Sequence, residues 1–144
     1  MTDDDLARRD TYAIWSREKV RFGDLDRNNH VNNVALCSLL ENARVELREA
    51  KAADAARDTN FAWVLVTLAV TFKGSMGYLG VIDVGTRPIE LGRTSFTLGQ
   101  GAFDGERCLA ITRVKTVCVD RASGRPTPLP VSYRAVLEGA LSHL

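Results

Sequence analysis

The sequence lacks the features that would place it in several large protein classes. No apolar run approaches the roughly 20 residues that span a bilayer. Cysteine is scarce. Cys37, Cys108 and Cys118 are an odd number with no CxxC spacing, which argues against a disulfide framework or a zinc site. Each lies in an apolar periodic run, so they read as buried thiols acting as small hydrophobes in a reducing compartment. Neither sign of charge is in excess: 19 basic against 18 acidic residues leave a net charge of +1. That balance gives no footprint for nucleic acid or an anionic membrane, and the expected partners are a small molecule or a second copy of the chain. The start, Met1-Thr2-Asp3-Asp4-Asp5, is acidic, whereas a signal peptide opens with basic and then apolar residues. A cytoplasmic protein is expected.

What is present describes an ordinary globular chain. Its 144 residues, 45% hydrophobic and 26% charged, suit a single domain over 1–144 with a core that needs no cross-links. Residues 1–10 are polar and are expected to form a loose tail. Tyr12, Ile14, Val20 and Phe22 fall at even positions, which predicts a strand over Thr11–Phe22. Gly23–Asn33 is loop chemistry ending in helix-capping residues. Leu36, Leu39, Leu40, Ala43, Leu47 and Ala50 then form one apolar stripe, predicting a helix that runs to about Ala56.

Four strands are predicted after it, over Ala62–Phe72, Val81–Leu91, Thr94–Phe103 and Glu106–Val119. Pro88 favours an edge or a bulge, and Asp104-Gly105 marks a hairpin. Leu109, Ile111, Val117 and Val119 are expected to share one face. Arg125–Pro130 is an irregular exit, and Tyr133–Leu141 suits a closing helix. The order predicts an α+β fold in which one long helix lies against a curved antiparallel sheet of about five strands. The opposite face of the sheet has no second helix to cover it, so another subunit is expected there.

The chemistry is concentrated in Val20-Arg21-Phe22-Gly23-Asp24-Leu25-Asp26-Arg27-Asn28-Asn29-His30-Val31-Asn32-Asn33. Asp26, Asn28 and His30 recur at every second position, a spacing that can aim three side chains into one cavity. A carboxylate can act as base or nucleophile, an amide can orient water or a carbonyl, and a histidine can donate to either. The helix that follows offers free N–H groups to a developing oxyanion. A polar knot before a helix is also ordinary capping chemistry, and composition alone does not separate the two.

Val20 to Arg44 resembles the signature of the hotdog-fold acyl thioesterases. The likeness is to the 4-hydroxybenzoyl-CoA thioesterase-like group and the related plant acyl-carrier-protein thioesterases. There the stretch reads Asp, any, Asp, any, Asn, Gly, His, Val, Asn, Asn, followed along the helix by Glu, any, Ala, Arg. Asp24, Asp26, Asn28, His30, Val31, Asn32, Asn33, Glu41, Ala43 and Arg44 match it. Gly92-Arg93-Thr94-Ser95-Phe96 and Gly124-Arg125-Pro126 resemble later parts of the same family. Asn29 stands in place of the usual Gly, and Asn tolerates left-handed backbone best among the other residues. Leu36 stands where an aromatic is common.

The resemblance implies hydrolysis of an acyl-CoA or acyl-carrier-protein thioester, without a cofactor or metal. It makes Asp26 the catalytic carboxylate, with Asn28 and His30 assisting. Val31 and Asn33 would contact substrate at the helix start, and Arg93 and Arg125 would meet a CoA phosphate. Asn32 and Asn33 are expected as caps, Asp24 as a turn residue, and His143 as inert. Glu41 lies roughly 16 Å along the helix from His30 and is expected to pair with Arg44. A homodimer or homotetramer with the site at the subunit interface is implied.

Two other functions share the fold. In the enoyl-thioester hydratase signature, His follows Asp by five residues with a proline between; here His30 is four after Asp26 and no proline intervenes. A non-catalytic acyl-CoA-binding protein is the other alternative.

Overall fold

The computed structural model describes residues 1–78 and 80–142, so the expectation for His143 lies outside the described residues. Strands β1 (Ile14–Lys19), β2 (Phe61–Phe72), β3 (Val81–Leu91), β4 (Ser95–Asp104) and β5 (Arg107–Asp120) form one antiparallel sheet in the order β1-β3-β4-β5-β2. The helices are α1 (Asp3–Leu6), α2 (Asn33–Lys51), α3 (Ala53–Arg57) and α4 (Val131–Leu141).

Helix α2 forms where its stripe requires. The Asn32 side chain caps it by accepting the Val34 N–H at 2.7 Å. Leu36, Leu39, Leu40 and Ala43 are buried and pack over Ile82 and Val84 of β3 and Ala102 of β4. The helix does not continue to Ala56. Ala52 adopts φ −146 and ψ 53, and α3 starts anew. The break turns Ala52 and Ala55 into a second cluster with Phe96, Leu98, Leu129 and the α4 residues Tyr133 and Leu137.

A buried polar knot ties α2 to the sheet. Arg44 was expected to pair with Glu41. It is instead buried, and its Nη1 donates to Gln100 Oε1 at 2.8 Å. Gln100 Nε2 donates in turn to Leu40 O and Thr86 Oγ1, each at 3.1 Å. Burial pushes the Arg44 guanidinium below its ordinary pKa, and Glu41, on the surface, opposes the shift through charge alone.

Residues 1–10 are not a loose tail. Thr2 and Asp5 form a capping box around α1, and Leu6 is fully buried with Tyr12, Phe103 and Ile111 on the outer face of the sheet. That face therefore has a cover from its own chain. The strand predicted over Thr11–Phe22 is confined to Ile14–Lys19, leaving Tyr12 beneath the N-terminal segment and Phe22 exposed. On β5, Leu109 does not share a face with Ile111. The register slips between Ala102/Ala110 and Phe103/Cys108, so Leu109 is bulged and joins the core under α2, while Ile111 points outward. A slip does lie at Pro88, between Pro88 and Glu90, as its sequence signal requires.

The two sheet edges differ in kind. β1 presents Arg17 and Lys19, charges of the sort that keep an edge from pairing. β2 carries no charge over twelve residues, yet Val64, Leu65, Val66, Leu68 and Phe72 are all at least 44% exposed.

Candidate active site

The loop before α2 is folded around the Asp26 carboxylate. Asp26 Oδ1 accepts the backbone N–H of Asn28 at 2.8 Å and of His30 at 3.2 Å. The backbone closes the same turn, with Asp26 N–H donating to His30 O at 2.8 Å and Asn29 N–H to Asp26 O at 3.0 Å. Asn29 sits at φ 57, the left-handed geometry that its family position calls for. No described residue donates to Asp26 Oδ2, which leaves that oxygen for chemistry.

Asp24 anchors the loop from behind. It is buried, its carboxylate accepts the Arg21 N–H at 2.8 Å and Arg21 Nη2 at 2.9 Å, and its carbonyl accepts the Asn32 N–H at 2.7 Å. The Arg21 hydrogen bond holds its carboxyl below the usual aspartate range, against the opposing effect of burial. The turn role expected for Asp24 fits this geometry.

Asp26, His30, Val31 and Asn33 converge on one cleft of about 100 Å³. Asn28 does not line it. Its side chain is exposed, and within one chain its link to Asp26 is the backbone N–H. The far wall comes from segments that no motif marked: Phe72 at the end of β2, Gly74-Ser75-Met76, Ile82 and the bulged Leu109. The glycines of the Gly74–Gly80 segment were the available signal. A Cβ at Gly80 would strike the Met76 side chain, and Met76 O accepts the Val31 N–H at 2.8 Å. At the cleft mouth the first turn of α2 supplies donors. Asn32 takes the Val34 N–H, while the N–H groups of Asn33 and Ala35 have no acceptor among the described residues.

Arg93 and Arg125 are not part of this cluster. Both lie by the Phe61 end of the sheet: Leu129 N–H donates to Arg93 O, and Asp120, the cross-strand partner of Phe61, donates to Arg125 O. The cleft uses Phe72 at the other end of β2, about 36 Å away at 3.3 Å per residue. Glu41 is outside the cleft as well, beside Arg44 and Arg48. All three thiols are free, with Cys118 buried and Cys37 and Cys108 only partly so; burial pushes Cys108 and Cys118 above the ordinary thiol pKa.

A family model described as the thioesterase-like superfamily matches residues 20–138, from the end of β1 into α4. The chain belongs to this superfamily. Its activity class is therefore thioester hydrolysis. A Pseudomonas aeruginosa protein of known structure shares the fold with a TM-score of 0.84 at 24% identity, over 92% of this chain and 94% of that one. A Thermus thermophilus thioesterase, solved with coenzyme A and zinc, has a TM-score of 0.78 at 26% identity, over 92% of this chain and 97% of that one. The Synechocystis 1,4-dihydroxy-2-naphthoyl-CoA thioesterase shares the fold alone, at 15% identity and a TM-score of 0.80, over 91% of this chain and 98% of that one. Comparison with curated proteins finds no match. The α+β hotdog arrangement expected of this thioesterase is thus the observed one. No described helix is long and apolar enough to cross a membrane.

Proposed function

We propose that this thioesterase hydrolyses an acyl-CoA or acyl-carrier-protein thioester with Asp26 as general base or nucleophile. The observation that carries the reading is the orientation of Asp26. Two backbone N–H groups hold Oδ1, Oδ2 has no donor among the described residues, and Asp26 lines a cleft that also takes in the helix start. In the general-base form, Oδ2 removes a proton from water as the water oxygen attacks the thioester carbonyl carbon. The carbonyl oxygen takes the negative charge beside the Asn33 and Ala35 N–H groups. Collapse breaks the C–S bond, and the thiolate recovers the proton from Asp26. In the nucleophilic form, Oδ2 attacks the carbon directly, the C–S bond breaks and the thiolate leaves. Water then opens the anhydride, restoring the Asp26 carboxylate and giving a proton to the thiolate. His30 lines the same cleft, which supports a role for it in donating to water or carbonyl.

The functional unit in this reading is a homodimer. A cleft of about 100 Å³ holds only a few waters and cannot enclose an acyl chain, so it needs more wall than one chain supplies. The uncharged edge of β2 supports pairing with a second β2, which would extend the sheet across a two-fold axis. Antiparallel pairing sets the Phe61 end of one strand beside the Phe72 end of the other. The partner's Arg93 and the partner's Arg125 then approach the Asp26 cleft, the one route by which they meet substrate. Further pairing into a tetramer has less support, because α1 and Tyr12 already occupy the outer face. The free thiols suit a reducing, cytoplasmic setting.

The reading is tested with short, long and aromatic acyl-CoAs and an acyl-carrier protein, following thiol release. Release above the uncatalysed rate supports it. Tight binding without release would favour the acyl-CoA-binding alternative.

A further inference from the structure

Beside the Asp26 cleft, across the Gly74–Gly80 segment, lies a larger cleft of about 320 Å³. Arg17, Lys19, Val20, Tyr78, Gly80 and Val81 line it. Tyr78 is 50% exposed, and Phe22, 77% exposed, meets its ring edge-to-face at 5.9 Å. The two clefts share a wall: Val20 N–H donates to Gly80 O at 3.2 Å, and Val20 packs with Met76 and Ile82, which line the Asp26 side. Guarding an edge strand explains Arg17 and Lys19, but it does not explain two large aromatic rings held in water beside them.

We propose that this cleft receives the adenine nucleotide end of coenzyme A, with Tyr78 and Phe22 as the stacking surface and Lys19 and Arg17 facing the phosphates. The proposal rests on the hydrolase reading above and names its carrier: CoA rather than a carrier protein. A π-face next to cations is the recurring chemistry of nucleotide recognition, because every base can stack and every phosphate is anionic. Arg17 Nε has Asp83 at 3.4 Å, whereas Lys19 has no carboxylate partner among the described residues, so Lys19 is the uncommitted charge. A concave cleft also suits a purine and ribose better than the convex helix of a protein carrier.

The experiment measures binding of adenosine 3′,5′-bisphosphate to the full-length protein by calorimetry. It is paired with kcat/KM for one acyl group carried on CoA and on the truncated thiol N-acetylcysteamine. Binding to wild type, weakened about fivefold or more in Tyr78→Ala through the lost stacking and weakened likewise in Lys19→Ala through the lost charge, is expected. The ratio of kcat/KM on acyl-CoA to that on the truncated thioester should fall by a similar factor. Absence of nucleotide binding overturns the assignment. So does binding that Arg93→Ala or Arg125→Ala removes while Lys19→Ala does not, or a preference for acyl-carrier protein over acyl-CoA. Calorimetry reads the cleft without turnover, so a wild type that binds nucleotide but cleaves no thioester refutes the hydrolase reading alone.

Discussion

Asp26 and His30 are bound to each other twice: the Asp26 N–H donates to the His30 carbonyl at 2.8 Å, and the His30 N–H donates to Asp26 Oδ1 at 3.2 Å. The carboxylate is therefore fixed by backbone rather than by a movable side chain. Asp26→Asn keeps an acceptor at Oδ1 and most of the turn while removing the charge. It is expected to lower kcat by about 10²–10⁴, the usual worth of a positioned base, and by more if Asp26 is the nucleophile. KM and Tm should move little. Single-turnover hydrolysis in oxygen-18 water bears on the roles, since label entering Asp26 means an anhydride and label only in the product favours general-base attack by water. Near-normal turnover in Asp26→Asn would remove the basis of the mechanism.

Asn28 and His30 carry matching positions in the family signature but unequal positions in the fold. His30 lines the cleft, while the exposed Asn28 reaches Asp26 through its backbone N–H, which alanine preserves. Both alanine variants should impair catalysis more than folding. His30→Ala should lose more, on the order of a hundredfold in kcat, the low end of the range for positioned acid–base groups. Equal losses would mean that the Asn28 side chain acts at a site that a second chain completes.

The parts of this fold that were legible in the sequence are those specified locally. The α2 stripe and the Asp104-Gly105 hairpin are periodic or adjacent signals, and the Asp26 loop is closed by hydrogen bonds spanning at most four residues. What escaped was specified at a distance. Arg44 finds Gln100, 56 residues away, rather than Glu41 three residues before it. The N-terminal segment packs because Gly85 and Gly99 leave room for Tyr12 and Leu6, a complementarity that polar composition hides. The outward turn of Ile111 depends on a bulge at Leu109 that no residue type announces. The far cleft walls come from the ends of three strands, so only the Asp26 side of the candidate site could be read ahead of the fold.

The loop anchored by Asp24 gives stability a definite pH dependence. The folded pKa of Asp24 is depressed by Arg21, so its contribution is complete above the unfolded value of about 3.9 and fades as pH falls through the folded value. Asp24→Asn should therefore unfold at lower temperature than wild type at pH 7, with the gap closing as pH drops below about 4. Thermal melts across that range read it directly. A gap that widened toward acid would mean Asp24 is held protonated in the folded protein.

The uncharged edge of β2 should fail as an interface when it is charged. Val64→Lys and Leu68→Lys place an ammonium at sites 44% exposed in the single chain, where it can stay solvated. Each should shift sedimentation from dimer to monomer and abolish turnover while leaving far-UV circular dichroism intact. A dimer that survived both substitutions would place the interface elsewhere.

Gln100 is the sharpest test of what holds α2 over the sheet. It is fully buried: Oε1 accepts Arg44 Nη1 at 2.8 Å and Thr112 Oγ1 at 3.3 Å, while Nε2 donates to Leu40 O and Thr86 Oγ1. Two acceptor and two donor sites are thus all used. Gln100→Ala leaves a cavity and strands the buried guanidinium, at an expected cost of about 3–5 kcal/mol in urea unfolding. Removing both partners in Arg44→Met/Gln100→Leu should recover much of that loss, because an apolar pair of similar volume needs no desolvated charge. The double-mutant cycle therefore carries a large coupling energy. If Gln100→Ala unfolded at the wild-type midpoint, or if the double variant were as unstable as the sum of the two single ones, the network would not be what seats the helix. Asp26 itself would feel the loss through α2, whose first turn supplies the free N–H groups at the cleft, so kcat should fall in Gln100→Ala even where the protein remains folded.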